Sequence, residues 1–112
     1  MKFVIDIDGT ICSLPTDDND YTKALPMEDR ISHINSLYDS GHTIVYFTAR
    51  GMGRTGGSAS SAYDLFFSLT KDQLTAWGAK HHELILGKPA GDVYIDDKAV
   101  TDSNFFDVRS FE

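Results

Sequence analysis

The sequence has one cysteine, Cys12, so it can form neither an internal disulfide nor a multi-cysteine zinc site. It is also short of cations. Ten Lys and Arg stand against 17 Asp and Glu, a formal charge of -7. Nucleic acid and anionic membranes are held by clustered positive charge, so neither is an expected partner. No apolar run approaches the roughly 20 residues that span a bilayer. The opening Lys2-Phe3-Val4-Ile5 meets Asp6 before a leader-like apolar region can form. Internal repeats, linkers and low-complexity stretches are missing too. What remains is ordinary globular usage, 41% apolar and 24% charged over 112 residues. At about 100–150 residues per domain, that predicts a single domain over 1–112, soluble and cytoplasmic.

Apolar and β-branched runs predict short strands at Lys2–Ile7, Thr43–Thr48, Glu83–Leu86 and Val93–Ile95. Between them, a polar loop at 13–26 leads into a helix over Met27–Ser40. Pro26 stands near the start of that helix, Ile31, Ile34, Leu37 and Tyr38 lie along one face, and Gly41 ends it. A glycine-rich turn, Arg50–Gly57, and the small residues Ser58–Ala62 precede a second helix over Tyr63–Trp77. That helix is expected to break near Thr70 and to end at Gly78. Residues 101–112 read as a helical turn and an edge strand. Strands alternating with helices imply βαβ crossovers and a mainly parallel sheet, an α/β fold.

Polar residues fall where the strands end: Asp6-Ile7-Asp8-Gly9-Thr10, Thr48, Gly87-Lys88-Pro89 and Asp96-Asp97. The carboxyl ends of parallel strands share one rim, so residues distant in sequence converge on one crevice. Carboxylates gathered there repel unless a cation lies among them or some remain protonated. Oxygen donors without His or Cys select a hard ion such as Mg²⁺, which takes one or two carboxylates and phosphate oxygens. A lysine beside them suits phosphate. The rim therefore points to magnesium-dependent phosphoryl chemistry.

The order DIDGT, a strand ending in Thr48, Lys88 and YIDD resembles the haloacid dehalogenase-like hydrolase superfamily across residues 6 to 97. TAR after the second strand and GKP before YIDD are similar to small phosphatases of capsular polysaccharide biosynthesis. The resemblance implies a Rossmann-like three-layer α/β/α domain around a parallel sheet. It implies Asp6 as the nucleophile of an aspartyl-phosphate mechanism and Asp8 as general acid and then base. Thr48 and Lys88 would hold the phosphoryl group. Mg²⁺ would be bound by Asp6, Asp8 through its carbonyl, Asp96 and Asp97, the last directly or through a ligand. Gly9 and Thr10 would form a turn whose N–H groups can face phosphate. The intervals of about 40 residues between motifs each hold a helix and a strand but no cap domain. Cover must then come from the 12–25 flap, the 50–62 loop or a second copy of the chain. The expected substrate is a small phosphomonoester such as a sugar phosphate, with Arg50 or Arg54 reaching it.

Two other classes compete. Receiver domains also combine acids, Thr and Lys on a parallel sheet, and an inactive scaffold partner in polysaccharide synthesis could keep the same motifs. Gly51-Met52-Gly53-Arg54-Thr55-Gly56 matches the dinucleotide fingerprint, but Ala49 and Arg50 separate it from the strand, and the acid nearest the expected offset, Asp72, lies within a helical pattern rather than at a strand end. Cys12 reads as a small packing residue, His33 and His42 as structural, His81-His82 as a solvated turn and Trp77 as a core anchor. Asp17, Asp18 and Asp20 lack the glycine and glutamate of a calcium loop and read as solvated flap residues.

Overall fold

A computed structural model describes residues 1–16 and 20–108 of the chain. Three parallel strands, β1 (Lys2–Ile5), β2 (Thr43–Thr48) and β3 (Glu83–Leu86), lie in the order β1-β2-β3. The register sets Ile5 beside Tyr46 and Thr48 beside Leu86. Helix α1 (Glu28–Asp39) joins the first two strands, α2 (Ala59–Ala76) joins the second two, and α3 (Asp102–Val108) follows. The helix after the expected polar loop forms as read, and a single 3-10 turn at Tyr21–Lys23 interrupts that loop.

Glycine ends both long helices by the same means. At α1 the N–H of Gly41 donates to Tyr38 O and that of His42 to Leu37 O. At α2, Gly78 donates to Thr75 O and Ala79 to Leu74 O. Each pair brings carbonyls of the last turn back into hydrogen bonds, and each needs the left-handed backbone at the glycine. α2 runs unbroken through Thr70, contrary to the expected break. The hydroxyl of Thr70 is buried and bonded, so its low helix propensity is overridden by tertiary contact.

Alternation along the strands directs Phe3, Ile5, Ile44, Tyr46 and Leu84 to one face. Ile31, Ile34 and Leu37 of α1, Leu74 of α2 and Phe106 of α3 pack there into one core. Both crossovers step across the sheet in the same direction, and right-handed connections then lay both helices on the same face. On the other face Val4 and Ile85 of the outer strands are 61% and 42% exposed, whereas Val45 of the central strand is buried. A second helical layer does not stand among the described elements.

Val93–Ile95 does not join the sheet. The three residues are 74%, 51% and 93% exposed. Two local contacts fold this stretch back on its own stem instead: the Tyr94 hydroxyl donates to Pro89 O at 2.6 Å, and Lys88 Nζ lies 4.3 Å from the Tyr94 ring centre. The edge strand expected in the tail falls in part on residues outside the described set. No helix among the described residues is long and apolar enough to cross a membrane.

Candidate active site

The cleft opens at the carboxyl ends of β1 and β2 and has a volume of about 190 Å³. Asp6, Asp8, Thr48, Arg50 and Lys88 all line it, so five of the expected residues do converge. Lys88 is placed there because its backbone N–H donates to Thr48 O at 3.1 Å, continuing the β2–β3 pairing past the last strand residue. Gly87 makes the turn: it holds φ +100°, and a Cβ there would come within 2.9 Å of the Ala59 Cβ. The Thr48 Oγ1 accepts the Arg50 N–H at 3.1 Å, which leaves its own proton available to the cleft.

The two aspartates are held in opposite ways. Asp6 is loosely held: Thr10 Oγ1 donates to its Oδ2 at 3.5 Å and Lys88 Nζ lies 3.6 Å from its Oδ1. Burial pushes its carboxyl above the ordinary range, with the Lys88 charge opposing that shift. Asp8 is tightly held. Arg50 Nε donates to Oδ2 and Nη2 to Oδ1, both at 2.9 Å, a bidentate pair. The Cys12 thiol also lies 3.4 Å from Oδ1. Burial and the adjacent carboxylate push that thiol up to about 12, so Cys12 is an unreactive donor as well as a packing residue.

Arg50 lines the cleft as well, with its guanidinium drawn into the protein. Its side chain is fully buried, and its Nη1 donates to Thr70 Oγ1 at 3.1 Å and to Gln73 Oε1 at 2.5 Å. A buried guanidinium needs acceptors all round, and this one has them. Arg54 remains exposed on the loop, over the Phe66 ring, and does not line the cleft. The Gly9 and Thr10 N–H groups donate to Cys12 O and Ile7 O, so they close the turn instead of facing phosphate. Gly51 of the glycine-rich turn serves close packing, since a Cβ there would lie 2.6 Å from Phe66. The helix begins only at Ala59, beyond that turn, which is not the dinucleotide arrangement.

Asp96 and Asp97 do not line the cleft, because the stretch that carries them stays out of the sheet. Asp96 Oδ1 instead accepts the Lys98 N–H at 2.8 Å. Among the described residues, no three or more His, Cys, Asp or Glu side chains come together as a metal site. Sequence reading missed Tyr21, whose ring covers Arg50 at 4.8 Å, and Gln73 and Thr70. Thr70 did leave a signal. It lies in step with Ala62, Phe66 and Leu74 on the buried face of α2, where a polar residue needs a partner. His81 and His82 are likewise more than a solvated turn, since His82 Nδ1 accepts the Ile44 N–H and His81 bonds Lys71 and Ala79 O.

Fold and site together define an α/β protein with two aspartates, a threonine and a lysine at the rim of a parallel sheet. No protein-family model matches the chain, and no curated protein does. Among solved structures it is similar to a crystal structure of a target protein from Vibrio cholerae. The identity is 30%, over 94% of this chain and 86% of that one, with a TM-score of 0.85. The chain belongs to the same family as that Vibrio cholerae protein.

Proposed function

We propose that the protein hydrolyses small phosphomonoesters through an aspartyl phosphate on Asp6, as a capless member of the haloacid dehalogenase-like superfamily. One observation carries the reading: a loosely held, partly exposed carboxylate faces a lysine in the cleft, with a second, fixed carboxylate two residues on. An acceptor of phosphoryl must be free to move onto phosphorus, whereas a group that handles protons must be fixed. Lys88 and the Thr48 hydroxyl hold phosphoryl oxygens. With Asp8 entering the cycle as the carboxylic acid, an Asp6 oxygen attacks phosphorus and the bond to the leaving oxygen breaks as Asp8 gives that oxygen its proton. A water then attacks the same phosphorus and gives its proton to Asp8, which frees phosphate and restores Asp6. The cleft is below the roughly 300–1,000 Å³ of sites for drug-sized ligands. It suits a phosphoryl group on a small handle such as a sugar, and with no cap domain a second copy of the chain is a candidate cover.

Mg²⁺ is the proposed cofactor. Asp6 and Asp8 both line the cleft. The Asp6 carboxylate and, as the resemblance implies, the Asp8 carbonyl would be hard oxygen donors of the kind that ion takes, and two protein donors suffice where phosphate and water complete its shell. Asp96 and Asp97 would add to them only if their segment approached the cleft. Bound there, the ion supplies positive charge between carboxylate and phosphate. Chelation is expected to abolish turnover and added Mg²⁺ to restore it. Turnover of sugar phosphates and p-nitrophenyl phosphate, with and without chelator, tests this, and full activity in excess chelator would remove the ion from the account.

A further inference from the structure

Asp8 has four lone-pair positions on its two carboxylate oxygens, and the structure fills three of them. Arg50 Nη2 takes one position on Oδ1 and the Cys12 sulfur, 3.4 Å away with its single proton shared with Ile7 O, covers the other, while Arg50 Nε takes one position on Oδ2. One acceptor position is left, on Oδ2, in a carboxylate that lines the cleft. We infer that Arg50 is a positioning residue, which fixes Oδ2 as the one atom through which Asp8 gives and takes protons. This rests on the phosphatase reading and extends it to a residue outside the reacting groups.

The clamp reaches beyond Asp8. Gln73 accepts from Arg50 Nη1 through Oε1, and its Nε2 donates at 2.7 Å to the backbone oxygen of Tyr21. The Tyr21 ring closes over the guanidinium from the flap side. Arg50 therefore joins the loop after β1, the flap and α2 in one bonded unit. Asp8 cannot rotate about its side-chain bonds without breaking two charge-assisted hydrogen bonds at once. Lysine would keep the charge but lose the planar fork.

Only steps that move a proton through Asp8 should feel the loss of this clamp. Phenolate is a poor leaving group and needs a proton as the bond to phosphorus breaks, whereas p-nitrophenolate needs almost none. Arg50→Lys is expected to slow turnover of phenyl phosphate about 10²-fold, the cost of a misplaced group. With p-nitrophenyl phosphate the first product should still form at close to the wild-type rate, as a burst of about one per active site before slow turnover. Gln73→Met, which removes an Nη1 acceptor and the flap tether, should show the same split more weakly and serves if Arg50→Lys does not fold. Equal slowing of both esters at every phase, or no slowing, would overturn the positioning role while leaving the phosphatase reading intact. A wild type that turns over neither ester would overturn both.

Discussion

Asp6→Asn is expected to abolish turnover without unfolding the protein. The amide has nearly the same shape but no charge to attack phosphorus, and losses on removing a covalent nucleophile are on the order of 10⁴-fold or more. Stability should move the other way. Burial raises the Asp6 carboxyl above its ordinary value, so the folded state binds that proton more tightly than the unfolded chain does. Stability in metal-free solution therefore falls as pH rises from about the ordinary carboxylate value of 3.8 through the raised folded value. Above that window the penalty is fully present, and the asparagine variant lacks it. Thermal melts in chelator at neutral pH should place Asp6→Asn at or above the wild type. A variant that keeps turning over phosphoesters would move the nucleophile elsewhere.

Asp8→Asn is expected to separate substrates by leaving group. A sugar alkoxide cannot depart without a proton, and removing a general acid costs about 10²–10⁴-fold. With p-nitrophenyl phosphate the variant should still phosphorylate Asp6 and then stall, because the amide cannot take the proton of the attacking water. Rapid mixing should record a burst of nitrophenolate followed by slow release. Equal loss on both substrates with no burst would mean that Asp8 chiefly organises the loop. The Arg50 fork also loses a partner in this variant, which leaves a buried guanidinium underpaired. Some destabilisation is therefore expected in Asp8→Asn and not in Asp6→Asn.

Much of the scaffold was legible because its signals are local. β2 and β3 were bounded by β-branched and apolar runs, and both helix ends by glycines whose positive φ no other residue adopts as readily. Asp6, Asp8, Thr48 and Lys88 converged because parallel strands must end on one rim. Arg50 was read as a group reaching substrate; it does line the cleft, but its guanidinium is spent on Asp8, Thr70 and Gln73. Nothing in its neighbours along the chain announces that Thr70 and Gln73 will approach it from a helix twenty residues away. Val93–Ile95 reads as a strand on composition alone, yet composition does not say whether a short run reaches a sheet edge or folds back, as Tyr94 does onto Pro89 and Lys88. The placement of Asp96 and Asp97 depended on that run, and with it out of the sheet they do not line the cleft. The helical layering depended on the direction of the crossovers, which periodicity does not carry.

The central claim is that Asp6 carries the phosphoryl group during turnover. Mixing the Mg²⁺-loaded protein with radiolabelled phosphomonoester, quenching in acid within milliseconds and mapping the label by peptide mass spectrometry tests it directly. With p-nitrophenyl phosphate as that ester, the account predicts an acid-stable, hydroxylamine-labile label on the N-terminal peptide at Asp6, present in Asp8→Asn at near one per chain and absent in Asp6→Asn. Product formed without label on Asp6, or label carried by another residue, would contradict it.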